Sequence, residues 1–165
     1  MIYEITFPDA TQINGKEKHS YYRDSFKFKT RCCGLEAKQV YHSIFGFLPA
    51  PIQWAMKLRN AIVKYFGFSA SETEMSLPLA DIAEGKKAGF LIIESVSETE
   101  IVCAAYESNM DMWLSVLKLS EQEFAVSTLV NLKTTSGRLY MLFIQPFHKQ
   151  VAKYSIRQAL KSGRI

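Results

Sequence analysis

Residues 136–148 read Ser136-Gly137-Arg138-Leu139-Tyr140-Met141-Leu142-Phe143-Ile144-Gln145-Pro146-Phe147-His148 and continue into a basic tail. The spacing of apolar residues predicts a long helix. Leu139, Leu142, Phe143, Phe147, Val151 and Tyr154 share a stripe that is expected to face inward. Ser136 is the expected N-cap. Pro146 should remove one backbone hydrogen bond and bend the helix. A helix with so broad an apolar face needs an apolar partner surface, and the upstream segments supply one.

From Gly89 onward the period is two. Phe90–Val96, Glu100–Glu107, Asp111–Leu119 and Glu123–Leu132 are four predicted strands joined by short polar connectors, as in an antiparallel meander. In the last of them Phe124, Val126, Thr128, Val130 and Leu132 share one side, while Ser127 and Asn131 on the other are expected to meet water. Residues 21–30 alternate in the same way, with Tyr22, Asp24, Phe26 and Phe28 on one face. Two helices follow. One, from about Leu35 to Phe45, turns Val40, Tyr41 and Ile44 inward. The other, from about Pro51 to Phe66, is expected to bury Trp54, Leu58, Ile62 and Tyr65 and to stop at Gly67. A short edge strand is expected near Glu74–Leu79, where Pro78 is tolerable.

The predicted fold is therefore α+β, a helix grip. An antiparallel sheet of five or six strands wraps a long C-terminal helix, with two helices inserted after the first strand. Residues 1–165 form a single domain, in which 1–20 read as an N-terminal extension or loop. A chain of this length buries roughly 70 % of the surface exposed when unfolded.

Charge is unevenly placed. Seven of the 20 Lys and Arg lie in residues 124–165, which contain no acid, so residues 1–123 carry a net charge of −3. Lys149, Lys153, Arg157 and Lys161 recur every four residues along one helical face. That stripe reads as a solvated face or as a weak contact with an anionic membrane surface. No recognised nucleic-acid motif accompanies it, so nucleic acid is not an expected partner. Cys32, Cys33 and Cys103 have neither disulfide-framework nor zinc spacing, and no secretory signal is visible, which together point to a reducing, cytoplasmic setting. His19, His42 and His148 are scattered, and no metal site is expected.

Asp24-Ser25-Phe26, the two Pro-punctuated helices, Gly137-Arg-Leu-Tyr140 and Pro146-Phe-His148 resemble the bacterial domain-of-unknown-function family 2867. The resemblance covers nearly the whole chain from about residue 20. It implies kinship with the helix-grip superfamily of START-like lipid-transfer and polyketide-cyclase-like proteins. Where the family pattern has an Asn ahead of Gly-Arg, this chain has Thr134, Thr135 and Ser136. The domain also occurs behind nicotinamide-cofactor-binding domains. No G-x-G-x-x-G fingerprint is present here, and no cofactor is expected.

The expected function is to hold a small hydrophobic, anionic ligand between sheet and terminal helix. Five candidate residues follow. Arg138 lies in the first turn of the helix, where it either meets a ligand anion together with free backbone N–H groups or pairs with Asp24. His148 is either a general acid or base or a hydrogen-bonded core residue. Tyr140 either donates to a ligand carbonyl or anchors to the backbone, and Trp113, with Tyr106 and Trp54, either lines a pocket or fills the core. The rival expectation is an enzyme of cyclase, isomerase or hydrolase type using His148 or Asp24 in the same cavity. An apolar pocket of at least about 300 Å³ beside Arg138 would support a carrier or enzyme of this kind, and a solid interior there would count against both.

Overall fold

Alternating side chains build one large sheet, and its two faces receive different covers. The computed structural model describes residues 1–47, 49–65 and 77–165. Strands β1 (Ile2–Glu4), β2 (Tyr21–Lys29), β3 (Lys87–Ala88), β4 (Leu91–Val96), β5 (Glu100–Tyr106), β6 (Met110–Lys118) and β7 (Glu123–Leu132) form a seven-stranded sheet in the order β1-β2-β7-β6-β5-β4-β3. Every neighbouring pair is antiparallel. The strands β4 to β7 form the expected meander. The α+β helix-grip assignment holds, with seven strands instead of five or six. The two additions are β1 and β3, short strands at the two edges.

Helices α1 (Ala37–Phe45), α2 (Ala50–Tyr65) and α3 (Thr135–Lys161) pack on one face. α1 starts with a reciprocal cap in which Glu36 and Gln39 each satisfy the other's backbone N–H, and it buries Val40, Tyr41 and Ile44 as expected. These meet Phe26 and Phe28 of β2, Val116 of β6, Phe124 and Val126 of β7 and Ile156 of α3 in the main core. α3 is capped by Thr134, not Ser136: the Thr134 Oγ1 accepts the Gly137 N–H at 3.1 Å.

The inward stripe of α3 differs from expectation. Tyr140, Met141, Ala152, Ser155, Ile156 and Ala159 are buried, whereas Leu142, Phe143 and Phe147 are 67, 65 and 68 % exposed and Leu139 is exposed too. Val151 and Tyr154 are half-buried. Each residue advances the helix by about 100°, so a neighbouring stripe is only one residue away. Ala152, Ile156 and Ala159 join Phe26, Val116 and Val126 of the sheet in the main core, so this side of the helix is buried in place of the bulkier stripe. α2 is rotated in the same sense. Ile52, Ala55, Met56 and Arg59 turn inward, and Trp54, Leu58 and Tyr65 are exposed. The side chain of Ile62, the expected stop at Gly67 and residues 74–76 of the expected edge strand lie outside the described residues. Pro78 precedes a short 3-10 turn at Leu79–Asp81, and the edge position is filled by β3.

The other face of the sheet is covered by residues expected to form a loose extension. Ile13 is fully buried against Val102, Ala104, Trp113 and Leu129. Burying such a side chain is worth about 1.5–3 kcal/mol. Glu100 clamps the segment: its carboxylate accepts Thr11 Oγ1 at 2.5 Å, Ser115 Oγ at 2.6 Å and the Gln12 N–H at 3.0 Å. Ser127 and Asn131, expected to meet water, are therefore 0 and 1 % exposed. Ser127 bonds Ser25 at 2.8 Å, and the Asn131 amide bridges the Lys18 N–H and the Lys16 carbonyl.

Candidate functional site

A pocket of about 200 Å³ lies between the α2–α3 layer and the sheet. α2 and α3 run antiparallel over it, since Ile52 neighbours Val151 while Arg59 touches Tyr140. Period-two alternation on β6 aims Met110, Met112 and Leu114 into it, and β7 adds Thr128 and Val130. Met141 completes a methionine-rich lining, which adapts readily to the shape of a guest. Most of the wall is apolar. Arg59, Thr128, Tyr140, His148 and Ser155 interrupt it.

At one end, Arg59 Nε donates to the Tyr140 hydroxyl at 3.1 Å and its NH1 donates to Asn60 at 3.0 Å. Its guanidinium lies over the Phe90 ring, 5.1 Å from the centroid. Among the described residues Arg59 makes no ion pair. A guanidinium with no carboxylate partner among the described residues, on a mostly apolar wall, is suited to an anionic group.

Toward the sheet, His148 Nε2 is 3.2 Å from Thr128 Oγ1 and 3.6 Å from Asp24 Oδ2. Tyr22 packs its ring edge-on to the imidazole and donates its hydroxyl to the same Asp24 oxygen at 2.5 Å. Burial first, and then the adjoining Asp24 carboxylate, raise the Tyr22 phenol well above its ordinary range, so it remains a donor at neutral pH. Asp24 Oδ1 and Ser155 Oγ are buried with no hydrogen-bond partner. Ser155 belongs to the pocket wall, whereas Asp24 lies behind His148 and off that wall.

Of the five residues singled out in the sequence, Asp24, Tyr140 and His148 converge here. Arg138 does not. It is exposed, is absent from the pocket wall, and forms no pair with Asp24. Trp113 lies on the opposite face of the sheet beneath Ile13, because it alternates with the pocket-facing Met112 and Leu114. Tyr106 packs edge-on to Trp113 on that same side, and Trp54 points outward. Arg59 and Thr128 were not singled out. The spacing Ile52, Met56, Arg59 carries the signal for Arg59, but the bulkier Trp54–Leu58 stripe competes with it.

The basic stripe on α3 is partly neutralised. Lys149 and Lys153 reach Glu4 of β1 at 2.5 and 3.7 Å, tying the edge strand to the helix. Among the described residues no helix is long and apolar enough to cross a membrane.

The family model described as "Protein of unknown function (DUF2867)" matches residues 17–155. No curated protein matches the chain. The chain belongs to the DUF2867 family, and the matched span runs from before β2 to Ser155, the last residue of the pocket wall.

Proposed function

We propose that this member of the family is a binding protein for a small apolar monoanion, held between α2, α3 and the sheet. The carrying observation is Arg59, a guanidinium without a carboxylate partner among the described residues, set in a mostly apolar pocket. Its anion contact takes the role expected of Arg138. The pocket volume limits the guest. About 200 Å³ exceeds the roughly 150 Å³ that accepts benzene but falls short of the roughly 300 Å³ where drug-sized sites begin. A single ring or short branched chain bearing one carboxylate fits that window. The three free cysteines support a reducing, cytoplasmic setting.

Calorimetric titration with matched phenylalkyl carboxylates and alcohols tests this. The carboxylate should bind about tenfold more tightly than its alcohol, and Arg59→Gln should abolish the difference. Failure of every compound to bind at millimolar concentration, or a preference that survives Arg59→Gln, would overturn it.

A second reading is favoured by one contact, His148 against the buried Asp24. An enzyme of cyclase, isomerase or hydrolase type would use His148 for proton transfer and Asp24 to orient it. If His148→Gln keeps guest affinity and abolishes a measured turnover, the carrier gives way to this enzyme.

A further inference from the structure

The outer side of the α2–α3 layer is apolar where water should favour polar groups. Trp54 and Tyr65 of α2 are 66 and 93 % exposed, and Leu142 and Phe143 of α3 about as much as Trp54; Phe147, equally exposed, stands at the rim where it also lines the pocket. Leu58 and Leu139 extend the surface. Because the two helices run antiparallel side by side, these side chains belong to one layer. So many large exposed apolar side chains on one helix layer mark a surface that meets something other than water.

The charge on that layer is of one sign. Neither α2 nor α3 contains an acid. Lys57, Lys64, Arg138, Arg157 and Lys161 are all exposed. A second copy of the chain is a poor occupant, since a twofold contact would set this cationic face against itself. Apolar side chains flanked by cations, with an exposed Trp among them, fit the boundary of an anionic bilayer, where rings and aliphatic groups enter and Lys and Arg meet headgroups.

We infer that the α2–α3 face docks on an anionic lipid surface. The face shares Arg157 and Lys161 with the basic stripe expected to make such a contact, while Lys149 and Lys153 of that stripe are engaged by Glu4. The inference does not depend on what the pocket holds.

The test is co-sedimentation with vesicles of phosphatidylcholine alone or mixed with phosphatidylglycerol. A Trp113→Phe background leaves Trp54 as the reporter. The protein should sediment with the anionic vesicles, shift Trp54 emission to the blue, and release as salt rises. L142D/F143D, whose changes are on the solvent side, should lower partitioning by about tenfold or more without altering the unfolding midpoint. K57Q/K64Q should also weaken it. Three results would overturn the proposal: no sedimentation with anionic vesicles at low salt, partitioning unchanged in L142D/F143D, or polyglutamate binding as tightly as vesicles. The last would assign the face to an acidic protein.

Discussion

His148 Nε2 stands 3.6 Å from Asp24 Oδ2, where the pocket wall meets a buried carboxylate. Asp24 is a costly residue to keep there. One of its oxygens lacks a hydrogen-bond partner, and removing a carboxylate from water costs several kcal/mol before any pairing gain.

Replacing the pair Tyr22 and Asp24 by Phe and Leu should therefore leave stability unchanged or raise it by about 1–2 kcal/mol. Asp24→Leu alone should cost about 1–3 kcal/mol by orphaning the Tyr22 hydroxyl. Urea unfolding of the three proteins checks this. A double variant more than about 2 kcal/mol less stable than the parent would make the carboxylate a structural element.

On the opposite face, Glu100→Ala removes the acceptor for Thr11, Gln12 and Ser115. The expected loss is about 3 kcal/mol. Segment 5–19 should become protease-sensitive before the rest of the chain. Cleavage kinetics that match the parent would refute the clamp.

Gly137 is needed for a close approach. A Cβ there would lie 2.6 Å from the Asn109 carbonyl oxygen, which already accepts the Lys133 N–H at 2.9 Å. Gly137→Ala should destabilise by about 1–3 kcal/mol, read as a lower urea midpoint, because the β5–β6 turn must shift. An unchanged midpoint would mean that α3 is not seated by this contact.

Burial alone would raise the Glu94 carboxyl, but the Tyr106 hydroxyl and the Lys16 ammonium, 3.1 Å away, outweigh it and hold the group below its ordinary 4.5. A carboxyl lowered in the folded state adds stability above the ordinary value, and this is lost as pH falls through the folded one. The stability gap between parent and Glu94→Gln should thus be widest near neutrality and close in acid. A gap independent of pH would contradict the pairing.

Periodicity made the fold legible because each signal was local. Alternation in 91–132 placed the meander strands within a residue or two, and the Gly137-Arg-Leu-Tyr140 and Pro146-Phe-His148 motifs pointed to the helix that roofs the pocket. Asp24 was legible as a polar group at an apolar period, and Tyr140 and His148 as polar groups set among bulky apolar neighbours. Arg59 was not, because a helix with two competing apolar stripes does not declare which one faces inward.

By itself, the chain determined strand alternation, helix positions, an acid-free C-terminal quarter and family membership, all of which follow from neighbours in sequence. Tertiary packing decided the rotation of α2 and α3, the cover supplied by residues 5–19, and so which cation lines the pocket. The physical reason is that a helix settles with the side that packs into the core on the sheet. That depends on residues such as Ala152, Ile156 and Ala159 meeting strands far away in the chain, not on the bulk of any local stripe.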